Sequence, residues 1–242
     1  MKLLLVLGAF ISMVASSPTN RIVGGSEAKN GSAPFMISIQ TSDFIHFCGG
    51  SILDKRWILT AAHCIAPNLH KYIYLGSNNV EVGGKRYEIE DSLMHEKYNG
   101  ITDVDNDVGL IKVASDIEFN DYVQPVKVNK EPLKGGEELR ALGWGQVQSQ
   151  VEDYPLNLQE LHVKALTNEE CKKISPVAPS TQVCTLLAKD YGICSGDSGS
   201  PLLLDGEQVG ISSFVLLQCG SGLPDYFTRV SLFADWIEKH VN

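Results

Sequence analysis

ICSGDSGSPLLLDGEQVGISSFVL, residues 193–216, makes two separate statements about this chain. Its second half has the pattern of a β-hairpin, with apolar runs on either side of Asp205-Gly206, a dipeptide that tolerates the positive φ values of a two-residue hairpin turn. Its first half places Ser198 between Asp197 and Gly199, with Gly196 and Cys194 just upstream. A serine in such a turn is either a loop residue or a nucleophile held out for chemistry.

Working outward, short β-type runs recur between turn signals: FMISIQ (35–40), RWILTAA (56–62), KYIYLG (71–76), RYEIEDSLM (86–94), VGLIKV (108–113) and LHVKAL (161–166). Helical patterns are few. Thr167 and Glu170 form a capping box ahead of Cys171, and Leu232, Phe233, Trp236 and Ile237 make one apolar face near the C-terminus. Many strands with sparse helices predict an all-β chain rather than an alternating α/β one. NKEPLKGGEE (129–138) holds one large apolar residue among Pro, Gly and charges, and reads as the connection between two β halves. No internal repeat is visible.

The N-terminus has the form of a secretory leader: Lys2, an apolar run over 3–14, then Ala15-Ser16-Ser17. A dozen or so apolar residues is too short to span a bilayer, so residues 1–16 are expected to be removed and the protein secreted, with no membrane association. In an oxidising compartment the six cysteines read as a disulfide set rather than a metal site, although their spacing leaves the pairing open. Asn30-Gly31-Ser32 is a glycosylation sequon and marks a surface loop. The formal charge is −9, and it becomes −11 over 22–242 because residues 1–21 contribute Lys2 and Arg21 and no acid. Nucleic acid is therefore not expected as a partner.

Three stretches carry chemistry when taken together: TAAHC (60–64), NDVGLI (106–111) and GDSGSP (196–201). Singly, His63 is a core histidine, Asp107 a turn carboxylate and Ser198 a loop serine. In the joint order His, Asp, Ser they are much harder to explain by structure alone. With IVGG (22–25) behind Arg21, these motifs resemble the chymotrypsin/trypsin family of serine endopeptidases (S1 type) over residues 22–242, and within it invertebrate digestive chymotrypsins.

The resemblance implies two antiparallel Greek-key β-barrels, 22–128 and 129–242, with the active site in the cleft between them and a C-terminal α-helix. It implies that His63 takes the proton of Ser198, Asp107 orients His63, and the N–H groups of Gly196 and Ser198 hold the oxyanion. It also implies that residues 17–21 are a short activation peptide. Cutting after Arg21 by a trypsin-like protease would free the α-amino group of Ile22 to meet Asp197; the uncut chain, with that carboxylate unpaired, would be a zymogen. The implied disulfides are Cys48 with Cys64, Cys171 with Cys184, and Cys194 with Cys219. Ser213 matches the serine near the triad aspartate, and Phe214 stands where tryptophan is more usual.

By the same alignment the pocket base falls at Gly192, with Val215 and Asp225 on the walls. Trypsin-like members carry aspartate where this chain has Gly192, so an apolar residue before the scissile bond is expected: Leu, Phe, Tyr or Met, with minor cleavage after basic residues through Asp225. Val215 should narrow the pocket, which leaves elastase-like or broad, collagen-cleaving specificity as alternatives. Two small departures, Gly109 after the triad aspartate and Ser200 after GDSG, leave the reacting groups intact. The expected partners are peptide or protein substrates, the activating protease and protein inhibitors, acting on a monomer in a digestive lumen. No metal or organic cofactor is expected, because side chains and backbone dipoles supply the chemistry. Two other readings compete with this one. A lipase-type hydrolase using Ser198, Asp225 and His240 fails because the chain lacks G-x-S-x-G, and a non-catalytic homologue of the same fold would bind a partner instead.

Overall fold

A computed structural model describes residues 22–100, 104–147, 153–176 and 180–241. The leader, Arg21 and the implied activation peptide lie outside these residues. After a two-residue strand β1 (Ser26–Glu27) come β2 (Met36–Gln40), β3 (His46–Ile52), β4 (Trp57–Thr60), the single-turn helix α1 (Ala62–Ile65), β5 (Tyr72–Leu75), β6 (Lys85–Met94) and β7 (Gly109–Val113). The second half holds β8 (Glu138–Gly143), β9 (Gln159–Ala165), α2 (Asn168–Ile174), β10 (Gln182–Leu186), β11 (Pro201–Leu204), β12 (Glu207–Val215), β13 (Asp225–Arg229) and α3 (Ala234–Val241).

Strands β2-β3-β4-β7-β6-β5 close into an antiparallel barrel. Strands β9-β10-β13-β12-β11-β8 close likewise through the β8–β9 pairing, and β1 adds to the outer side of β9. The two orders are one connectivity used twice: the fourth strand returns beside the first, as β5 beside β2 and β11 beside β8, which is a Greek key. The architecture repeats without any repeat in the sequence. Closure removes the free sheet edges that would otherwise invite pairing with another chain.

Local chemistry explains the elements. In β9 Gln159, Leu161, Val163 and Ala165 are buried while His162 and Lys164 are exposed, the period-two pattern of a strand with one buried face. Leu204 pairs with Glu207 across Asp205 (φ 49) and Gly206 (φ 82), so both turn residues adopt the positive φ of a type I′ hairpin. The capping box is formed: Glu170 N donates to Thr167 Oγ1 at 3.1 Å, and Thr167 N donates to the Glu170 carboxylate at 2.9 Å.

Each barrel encloses its own apolar core. Ile37, Ile39, Leu59, Ile73 and Leu110 fill the first, and Phe233 and Ile237 at the C-terminal end of the chain pack against it. Leu139, Leu161, Val183, Leu202 and Phe227 fill the second, together with Ile22. The stretch predicted as RWILTAA is a strand only to Thr60, beyond which the chain turns into α1. That turn is what projects His63 out of the barrel wall.

Candidate active site

His63 carries two bonds to one carboxylate: its backbone N–H donates to Asp107 Oδ1 at 2.9 Å and its ring Nδ1 to Asp107 Oδ2 at 2.7 Å. A carboxylate only accepts, so the ring proton sits on Nδ1 and Nε2 is left with a free lone pair. Asp107, 2% exposed, precedes β7. Ser213 Oγ, from β12 of the other barrel, donates to Asp107 Oδ2 at 2.6 Å, and Thr228 Oγ1 from β13 donates to the Asp107 carbonyl at 2.8 Å. Three donors thus converge on a buried carboxylate, which offsets its desolvation.

The segment bearing Ser198 is pinned to both barrels. Gly49 N on β3 donates to the Ser198 carbonyl at 2.7 Å, and Gly199 N donates to the Ser212 carbonyl on β12 at 2.8 Å. Gly199 has φ 80, and a Cβ there would lie 2.2 Å from Thr60 Oγ1 and 2.5 Å from the Gly49 carbonyl oxygen, so only glycine fits. Gly196 also has a left-handed φ, 97°. Neither the Gly196 nor the Ser198 amide donates to an acceptor among the described residues, which leaves both available to a bound anion. Ser198 Oγ makes no hydrogen bond to His63 Nε2 here; catalytic bonds of this kind commonly tighten only when substrate is in place.

Beside the serine, Asp197 is fully buried. It accepts from Gly145 N at 2.8 Å and Cys194 N at 2.9 Å, yet burial pushes its carboxyl up to about 7. No cation lies within ion-pair distance of it among the described residues. Space for this carboxylate exists because Gly143 and Gly145 have no side chains: a Cβ would come within 2.0 Å and 2.4 Å of it, respectively. Ile22 is also fully buried, and its φ of 48 is strained for a β-branched residue. Val23 forms a bridge to Gly192, with Gly192 N donating to the Val23 carbonyl at 3.0 Å.

At the candidate specificity pocket, Asp225 is 7% exposed and lies across from Val215 in the β12–β13 register. Ile193 N donates to Asp225 Oδ2 at 2.9 Å. The carboxylate occupies the space a side chain at Gly192 would need, since a Cβ there would be 2.5 Å from Asp225 Oδ2. Burial, and to a lesser degree the charge of Asp197, push the Asp225 carboxyl up to about 7. Phe214 stacks on Tyr226 with ring centroids 4.3 Å apart.

The trypsin family model matches residues 22–237. The chain is 36% identical over 222 residues to chymotrypsin-2 of Vespa crabro, covering 90% of this chain and 99% of that protein. It is 33% identical over 240 residues to trypsin II-P29 of Gallus gallus, covering 97% and 95%. The solved structure of neuropsin, a serine protease expressed in the limbic system of mouse brain, superposes with a TM-score of 0.85 at 29% identity, covering 90% of this chain and 99% of the other. This chain belongs to the trypsin family.

As a trypsin-family serine protease it is a hydrolase acting on peptide substrates, built on two closed β-barrels. Three disulfides, Cys48–Cys64, Cys171–Cys184 and Cys194–Cys219, brace α1, α2 and the pocket loop. Cys48, His63 and Cys64 lie close enough together to suggest a metal cluster, but both sulfurs are consumed in the first disulfide. No helix of the described residues is long and apolar enough to cross a membrane. Asn30 is exposed in a turn.

Sequence reading missed several residues of the site. His46 on β3 donates from Nε2 to the Gly196 carbonyl at 3.0 Å and accepts at Nδ1 from Ser38 Oγ at 2.8 Å, an arrangement that needs the neutral ring; burial lowers its pKa to about 4. It thereby steadies the loop ahead of Ser198. Thr228 and the glycines of GWG (143–145) were also passed over. For His46 and Thr228 the signal was a polar residue inside a strand, with its partner in a distant segment.

Proposed function

We propose that the chain is the secreted precursor of a serine endopeptidase that works through an acyl-enzyme on Ser198. In this reading residues 1–16 are the leader and 17–21 the activation peptide, and 22–128 and 129–242 are the two barrel halves. His63 Nε2, its lone pair free because Nδ1–H is held by Asp107, takes the Ser198 hydroxyl proton as Oγ attacks the scissile carbonyl. The same proton passes to the leaving amine, and the cycle repeats with water. Asp107 fixes the tautomer and stabilises the imidazolium, while the Gly196 and Ser198 amides take the developing oxyanion. The observation that carries the reading is the His63–Asp107–Ser213 arrangement facing the doubly pinned Ser198 segment.

Activation by cleavage after Arg21 is supported by Asp197, a buried carboxylate without a cation among the described residues, and by the strained, buried Ile22. Cutting that bond abolishes the Ile22 φ torsion and creates an ammonium that can neutralise Asp197. Preference for Leu, Phe, Tyr or Met before the scissile bond, with minor cleavage after basic residues through Asp225, is supported by Gly192, which bears no charge of its own, by burial that favours the neutral form of the Asp225 carboxyl beside it, and by the likeness to chymotrypsin-2 of Vespa crabro. A digestive role is part of this reading, supported by the short implied activation peptide, the acidic charge and the three disulfides, which resemble those of invertebrate digestive enzymes.

The test is kcat/KM of trypsin-cut protein on matched peptide amides with Phe, Leu, Ala or Arg before the bond, with Ser198→Ala as control. Preference for Phe or Leu is expected. Preference for Ala means that Val215 closes the pocket, preference for Arg overturns the apolar assignment, and turnover no better than the control overturns catalysis altogether.

A further inference from the structure

Away from the reacting groups, the connection between β2 and β3 builds a second depression. A groove of about 570 Å³ lies between this hairpin, the 80–86 segment and residues 154–156. Its walls include Phe44, Ile45, Tyr154 and Leu156, all large, apolar and exposed. The hairpin tip holds the first two outward: Thr41 Oγ1 accepts from Asp43 N and Ile45 N, both at 3.3 Å, and Phe44 has φ 63, a costly conformation for a bulky residue. The cation of the groove is Arg86. Its guanidinium carbon lies 4.5 Å from the centroid of the Phe44 ring and 4.9 Å from that of Tyr74, and its Nε donates to Gln40 Oε1 at 2.8 Å. Gln40 is itself buried, and its Nε2 donates to the Val80 carbonyl at 3.1 Å. The other N–H groups of Arg86 donate to no acceptor among the described residues, and no carboxylate lies within ion-pair distance of it there. A guanidinium already stacked and bonded has little freedom left to lose on binding an anion.

A fixed fork of donors beside exposed apolar walls fits a carboxylate flanked by apolar side chains. Asp43 and Glu81 also line the groove and pair with no cation among the described residues, so a run of acids would be repelled. The groove adjoins the reacting groups at Gly196: His46, one of its lining residues, donates to the Gly196 carbonyl at 3.0 Å, and a Cβ at Gly196 would lie 3.2 Å from Tyr154 Cε1. We propose that this groove is an accessory docking site for protein substrates, holding an extended segment of apolar residues around a single Asp or Glu whose carboxylate pairs with Arg86. This rests on the endopeptidase reading above and adds to it a selection made away from the side chain at the scissile bond. A chain whose scissile carbonyl rests against the Gly196 amide reaches the groove by continuing over the adjoining surface, and such tethering makes even a weak second contact effective.

The experiment has two arms. The first measures binding without turnover, by fluorescence anisotropy of the labelled peptide Gly-Ile-Glu-Ile-Pro-Gly and its Glu-to-Gln counterpart on trypsin-cut Ser198→Ala. The Glu peptide is expected to bind about tenfold more tightly, a preference that falls to about twofold or less when Arg86→Gln is added. No binding of either peptide, no preference for Glu, or a preference that survives Arg86→Gln overturns the site. Should Arg86→Gln fail to fold, Phe44→Ala must weaken both peptides, and raising the salt from about 0.05 M to about 0.5 M must narrow the Glu preference in the parent; failure of either overturns the site. The second arm asks whether substrates use the groove. Cut wild-type protein is given Leu peptides extended past the bond, through glycine spacers of increasing length, to the same Glu or Gln segment. At the matching spacer kcat/KM for the Glu substrate should be about fivefold higher or more, chiefly through KM, and the difference should vanish in Arg86→Gln. Equal turnover at every spacer, with selective binding intact, overturns the role in substrate choice. Cleavage of no substrate overturns the endopeptidase reading and the substrate role with it, while the first arm still decides whether the groove binds.

Discussion

Asp107 and Asp225 are both buried carboxylates, 2% and 7% exposed, and they are held in contrasting ways. Asp107 takes bonds from a backbone amide, an imidazole and a hydroxyl contributed by two barrels, and a threonine fixes its own carbonyl. Asp225 takes one amide bond among the described residues, and burial pushes its carboxyl up to about 7. The first arrangement holds the carboxylate in one orientation against His63. The second leaves a proton free to come and go. The Asp107 carboxylate is thus well supplied with donors, whereas the Asp225 carboxylate accepts from a single backbone amide among the described residues.

The comparison can be broken most decisively at the reacting corner. Ser198→Ala is expected to lower kcat by about 10⁴- to 10⁶-fold, and Asp107→Asn by about 10³- to 10⁴-fold, with the pair together costing little more than Ser198→Ala alone, because they act as one unit. Steady-state kinetics on a Leu amide measures both.

At the pocket floor the larger effect should be on stability. The folded Asp225 carboxyl holds its proton more tightly than the unfolded one, so its contribution is fully present below the ordinary value of 3.8 and is lost as pH rises through about 7. Asp225→Asn removes that titration while keeping an acceptor for Ile193 N. It should therefore be more stable than wild type at pH 8, by roughly 2 to 4 kcal/mol, with the advantage fading toward pH 4. Thermal unfolding at the two pH values checks this, and an equal difference at both would contradict it.

Ser213→Ala takes away one of the three donors to Asp107, and kcat should fall about tenfold with KM little changed, since the other two bonds still orient His63. The smallest effect concerns Ser200, whose buried hydroxyl has no partner among the described residues. Ser200→Ala should raise stability by about 1 kcal/mol in chemical denaturation, where a comparable change at well-bonded Ser213 would lower it.

Much of this was legible in advance because the signals were local. The Asp205-Gly206 hairpin and the Thr167 capping box depend on residues within a few positions of each other, and both formed. Strands β3, β8, β10 and β13 were not picked out. Gly49 and Gly50 make HFCGGSI look like a loop, yet they are there because a Cβ would strike Ser200 Oγ at 2.0 Å and the Leu59 carbonyl at 2.9 Å. DYFTR is buried at all five positions although two are charged; Arg229 is satisfied by Asn168 and the Gln182 carbonyl, far away in sequence. His46 was missed for the same reason, its partner Gly196 lying 150 residues downstream. The pairing of the cysteines likewise came from family resemblance and not from spacing.

The most direct test of the account is labelling with a fluorophosphonate followed by peptide mass mapping, before and after trypsin treatment. A single adduct on Ser198 is predicted in the cut protein. None is predicted in uncut protein, in Arg21→Gln exposed to trypsin, or in cut Ser198→Ala. Cut protein that takes up no label, or takes it up elsewhere, would contradict an activated serine at this site.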